Sequence, residues 1–94
     1  MKRYYTAEAV TEGHPDKLCD LIADSILDEC LREDRESKVA CEVLATKGHI
    51  LVAGEITSRH EPYVFGIVKK VLEEVGYPSE EVQMDAQIHQ QSPD

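Results

Sequence analysis

Hydrophobic positions along the 94-residue chain change period four times, and each change predicts an element. From about Pro15 to about Arg32, Leu18, Leu21, Ile22, Ser25, Ile26 and Cys30 recur at helical spacing, with Leu27 and Leu31 widening that face. Pro15 suits the first helical position, where its missing N–H would have no intrahelical partner. Asp20, Asp24 and Asp28 stand at four-residue intervals on another face. Like charges so spaced repel mildly, and a solvated face accounts for them.

The period then falls to two. Lys38 to Thr46 and His49 to Ser58 read as strands joined near Lys47-Gly48. An even-length turn puts Val39, Cys41, Val43 and Ala45 on one face with Ile50, Val52, Gly54 and Ile56. An odd turn would mix these with His49 and Glu55, so the hydrophobic pattern selects the even register. Glu42 then lies opposite Ala53 and Glu55 opposite Ala40, making the two carboxylates diagonal neighbours on the other face. Leu44 and Leu51 make that second face too apolar for simple exposure, which predicts a partner surface over it with the two acids lining a cavity. The plainer alternative leaves both glutamates in water on the free face of a two-layer domain.

A second helix opens at Pro62, with Val64, Ile67, Val68, Val71, Leu72 and Val75 as a core stripe, and closes at Gly76 before Pro78. Val82, Met84, Ala86 and Ile88 alternate with Gln83, Asp85, Gln87 and His89, giving a last strand. With a short strand near Arg3 to Val10, the order is strand, helix, hairpin, helix, strand. That is an α+β two-layer sandwich with both helices on one face of the sheet. Gln90-Gln91-Ser92-Pro93-Asp94 reads as a chain leaving a strand for a loop and stopping there, as at a fragment boundary.

Charge and cysteine content narrow the function. A net charge of −9 lacks the basic footprint of a nucleic-acid binder. There is no membrane-length apolar run and no signal-peptide core. Cys19, Cys30 and Cys41 lack paired metal-ligand spacing and read as reduced and mostly buried, which points to a cytoplasmic chain. His49, His60 and His89 have no supporting constellation and are expected at the surface.

Chemistry concentrates in Thr11-Glu12-Gly13-His14-Pro15-Asp16-Lys17. A helix start presents free N–H groups and partial positive charge to phosphate oxygens. There His14 could donate to an oxyanion, Asp16 could hold a divalent cation and Lys17 could offset phosphate charge. An ordinary capped helix start carries the same residues.

Tyr5-Thr6-Ala7-Glu8-Ala9-Val10 running into that segment, then Val39-Ala40-Cys41-Glu42, Ala53-Gly54-Glu55-Ile56-Thr57-Ser58-Arg59 and the final Gln91-Ser92-Pro93-Asp94, resemble the S-adenosylmethionine synthetase (methionine adenosyltransferase) family, in family order. The resemblance implies a transferase that joins methionine to ATP: the sulfur attacks the ribose C5′, displaces the triphosphate, and phosphate and diphosphate are released. It implies magnesium and potassium as cofactors, ATP and L-methionine as partners, and a homo-oligomer joined through the sheet face. By the same resemblance His14 contacts the triphosphate at the breaking bond as the catalytic group, with Lys17 a further ATP contact. Asp16 binds magnesium, Glu42 potassium, and Glu8 is a weaker metal candidate. Glu55 and Gln91 hold the methionine. The family's Gly-Ala-Gly-Asp-Gln-Gly and Gly-Gly-Gly-x-Phe-Ser signatures are not in this chain, and family members are several times longer, with three interwoven domains. The resemblance therefore implies that residues 1–94 are the N-terminal domain of a longer three-domain enzyme and are inactive in isolation. Two alternatives stand: a noncatalytic domain self-associating through its second sheet face, and a metal-dependent phosphohydrolase, for which only Asp16 has a convincing metal context.

Overall fold

A computed structural model describes residues 15–92, with side chains from Lys17 onward. The expected strand near Arg3 to Val10 lies outside the described residues. The elements run α1 (Pro15–Glu33), β1 (Lys38–Thr46), β2 (His49–Thr57), α2 (Val64–Glu74), a 3₁₀ turn (Ser79–Glu81) and β3 (Gln83–Gln91). Two helices cover one face of a three-stranded sheet of order β1-β2-β3, the expected α+β arrangement.

Helix α1 begins at Pro15, as its fixed φ and missing N–H favour. Its buried stripe is Leu18, Cys19, Ile22, Ala23, Ile26 and Cys30. Leu21, Leu27 and Leu31 were expected on this face but are 38%, 36% and 36% exposed. At 3.6 residues per turn, Leu27 lies roughly half a turn round from Leu18. The small Cys19 and Ala23 take the inner side instead, and the leucines flank the aspartate column, of which Asp24 and Asp28 are exposed.

The hairpin adopts the even register, with Val39↔Ile56, Val43↔Val52 and Ala45↔Ile50 as partners. Gly48 supplies the positive φ (75°) that a tight hairpin turn favours. Cys41, Val43, Ala45, Ile50, Val52 and Ile56 are buried against the helices.

Helix α2 starts at Val64 rather than Pro62, because its first turn closes from the Ile67 N–H onto the Tyr63 carbonyl at 3.1 Å. Val64, Val68, Val71 and Leu72 are buried, while Val75, past the last turn, is 46% exposed. The Tyr77 N–H donates to the Leu72 carbonyl (2.8 Å) and the Gly76 N–H to Glu73 (3.2 Å). With Gly76 at φ 87°, this is a Schellman end.

Strand β3 pairs parallel to β2, from His49↔Gln83 to Thr57↔Gln91. Parallel neighbours need a crossover, which α2 and the 3₁₀ turn provide. Gln90 and Gln91, expected in a loop, belong to this strand. Met84, Ala86 and Ile88 face the core, and the intervening residues face away. Among the described residues no helix is long and apolar enough to cross a membrane.

Candidate functional site

The sheet face away from the helices carries the candidate residues Glu42, Glu55 and Gln91. Glu42 lies opposite Ala53, and Ala40 opposite Glu55, so the carboxylates are diagonal neighbours across two alanines. Glu42 is half-buried and Glu55 exposed. On the other side of β2, His89 stands opposite Glu55 and Gln91 opposite Thr57. Alternation puts residues 55, 57, 89 and 91 on the same face. Glu42, Glu55 and Gln91 thereby share one face, with Glu42 at mid-strand in β1 and Gln91 two strands over at the last residue of β3.

Gly54, between Ala53 and Glu55, allows the strands to meet there. Its φ is 150°, and a Cβ at this position would lie 2.1 Å from the Ala40 carbonyl oxygen and 2.8 Å from the Cys41 Cα. Such contacts are impossible for any side-chain-bearing residue, so the close approach of β1 beside the two glutamates requires glycine.

Lys17 is exposed in the first turn of α1. His14 and Glu8 lie outside the described residues, as does the side chain of Asp16. Among the described residues no group of three or more His, Cys, Asp or Glu side chains converges in the manner of a metal site. Glu42 offers the hard oxygen that suits an alkali or alkaline-earth cation, but it is one ligand of the several such ions take. Two clefts lie elsewhere on the described surface: one between α1 and α2 near Asp28, Arg32, Lys70 and Glu74, another between Tyr63, Phe65, Ile88 and Gln90.

Beside the site's end of the sheet sits a polar knot that the sequence did not announce. Ser58 is buried; its hydroxyl is 2.7 Å from that of Ser37 and accepts the His60 N–H at 3.0 Å. The Ser37 hydroxyl in turn reaches the Asp34 and Cys30 carbonyls at 2.7 and 3.1 Å. The Asp34 carboxylate accepts the N–H groups of Arg59 (3.0 Å) and Glu36 (3.1 Å), which hold its carboxyl below the usual range, Arg59 chiefly.

His49 and His60, expected as plain surface residues, are half-buried and each meets a carboxylate. His49 Nε2 is 2.7 Å from Asp85 Oδ2, and His60 Nε2 is 2.8 Å from Glu29 Oε2. Partners 36 and 31 residues apart leave no local sequence signal. His89 is exposed, as expected. Cys19, Cys30 and Cys41 are buried and not joined in disulfides; burial, and then Cys30, pushes Cys41 up to about 11.

The profile of the family described as "S-adenosylmethionine synthetase, N-terminal domain" matches residues 2–93. The chain belongs to the S-adenosylmethionine synthetase family. It is 47% identical over 98 residues to the S-adenosylmethionine synthase of Treponema denticola, covering 97% of this chain and 25% of that protein. Against the synthase of Brachyspira hyodysenteriae it is 45% identical over 98 residues, with the same coverage of each. An "unusual S-adenosylmethionine synthetase from Campylobacter jejuni" superposes with a TM-score of 0.81 at 35% identity, over 87% of this chain and 25% of that one. The chain thus spans about a quarter of the length of the synthetases it matches.

Proposed function

We propose that this chain is the N-terminal domain of a three-domain methionine adenosyltransferase and holds part of its ATP, metal and methionine site. In this reading His14 stabilises the leaving triphosphate oxygen and Lys17 offsets phosphate charge. Asp16 binds magnesium, Glu8 is a secondary metal ligand and Glu42 contributes to a potassium site. Glu55 takes the methionine ammonium group, and Gln91 contacts methionine beside it. When bound, the cations spread the charge of the displaced triphosphate. The chain's own residues position methionine and donate to the leaving group. The enzyme assembles as a homo-oligomer through the face away from the helices and works in the cytoplasm. The observation that carries this reading is the shared face of Glu42 and Glu55, set by a hairpin register that a one-residue slip would destroy. Family membership over residues 2–93 supports it.

The 94-residue chain alone is inactive in this reading, because the glycine-rich signatures that complete the phosphate clamp are absent from it. Incubated with ATP, methionine, magnesium and potassium, it is expected to form no S-adenosylmethionine; formation at a rate near that of a full-length synthetase overturns that part. Methionine titrated into the labelled chain should move the amide signals of Glu55 and Gln91, and Glu55→Gln should abolish the response while leaving the folded spectrum intact. Equal responses in both proteins sink the assignment of Glu55.

A further inference from the structure

The geometry points to Gln90 as a positioning residue, whose carboxamide holds the end of β3 so that Gln91 stands beside Glu55; its functional weight rests on the methionine reading of those two residues. Gln90 lies on the opposite parity of β3 from Gln91, so its side chain turns toward the helix side, where the 58–60 segment passes. There Nε2 donates to the carbonyl oxygens of Ser58 and His60, each at 3.3 Å. Both neighbours are acceptors only, so the amide end must face them, and its two N–H groups serve one carbonyl each. The Ser58 N–H meanwhile donates to the Gln91 carbonyl at 3.1 Å. Gln90 and Gln91 therefore grip the same residue from both sides.

Ser58 is a firm anchor, because it is itself fixed. Its hydroxyl is tied to Ser37 and to the His60 N–H, and Ser37 is tied to the end of α1. The chain end of β3 is thereby referenced to the helix layer rather than to the sheet ladder alone. The ladder fixes where the Gln91 backbone lies; the Gln90 grip keeps the strand from peeling at its last residues, where fraying is easiest. Peeling would carry Gln91 away from Glu55, one strand over.

The proposal requires a donor at position 90, and three variants of the 94-residue chain test it. Gln90→Met removes the donor at similar size, Gln90→Glu replaces it with an acceptor, and Gln90→Lys restores a donor. Amide exchange of Ser58 is compared with that of Val43 and Val52 in the same samples, along with the Gln91–Thr57 cross-strand contact and the methionine response. In Gln90→Met and Gln90→Glu, Ser58 protection should fall about tenfold with the core amides unchanged, and methionine should bind about tenfold more weakly. Gln90→Lys should retain wild-type protection and binding. Unchanged Ser58 protection and an intact Gln91–Thr57 contact in Gln90→Met overturn the proposal, as does an equal loss of protection at Val43 and Val52. A wild-type chain that ignores methionine defeats the methionine reading instead, and the exchange data then decide the placement of Gln91 on their own.

Discussion

The face of the sheet beneath the helices carries Cys41, Val43, Ala45, Ile50, Val52 and Ile56, all buried. The face away from them carries Glu42, Leu44, Leu51, Glu55, Asp85 and His89, all half-buried or exposed. Both are made by the same strands in the same register. On the first face each residue is held by neighbours on every side, so shape decides what fits. On the second, side chains are placed by the backbone and left to meet something else. The comparison teaches that one register serves two ends: a slip by one residue would expose the core and bury the acids together.

The largest effect should come from breaking both faces at their common point. Gly54→Ala sets a methyl group against the Ala40 carbonyl and fixes a residue at φ 150°, so a loss of about 4 kcal/mol is expected, read by urea unfolding. Restricted to the covered face, Leu72→Ala opens a cavity at a side chain with no exposed surface and should cost about 3 kcal/mol in the same assay. Leu44→Ala on the other face should cost about 1 kcal/mol or less, since its side chain is only half-buried. Equal losses for the two leucines would erase the distinction between the faces.

The smallest effect concerns the Asp34 caps beneath the site's end of the sheet. The Asp34 carboxyl lies below its ordinary value of 3.8 in the folded chain, because the ionised form accepts two backbone N–H bonds. Those bonds contribute fully above that value and are lost as pH falls through it toward the folded one. The stability gap between the wild type and Asp34→Asn should therefore be widest near neutral pH and close below about pH 4. A gap that widens on acidification would contradict the assignment.

What was legible in the sequence was local. The hairpin register followed from apolar alternation across a short turn, and it placed Glu42 and Glu55 correctly relative to one another. The end of α2 was legible in Gly76, whose freedom the Schellman bonds use. The parallel pairing of β3 was not, because alternation gives a strand's faces and not its neighbour. For the same reason Gln91 read as a loop residue: nothing near it in sequence reveals that Ser58 continues its ladder. The histidine–carboxylate pairs and the Asp34–Arg59 bond join segments 25 to 36 residues apart, and only the assembled fold brings them together. In α1, apolar bulk pointed to the wrong edge. The leucines looked like core, yet the helix turns its smaller residues inward.

The cysteine facing Gly54 gives the hairpin a built-in clock. Cys41 is the register partner of Gly54, buried, and its thiol is pushed up to about 11, so it is almost wholly protonated and shielded from alkylating reagents while the strands are paired. Its modification rate therefore counts openings of the sheet at the place where the two faces share a backbone. Cys19 and Cys30, in the first helix, time the release of the helix layer in the same tube. Mapping which thiol is labelled first would order the events by which this domain comes apart, with no probe added to the chain.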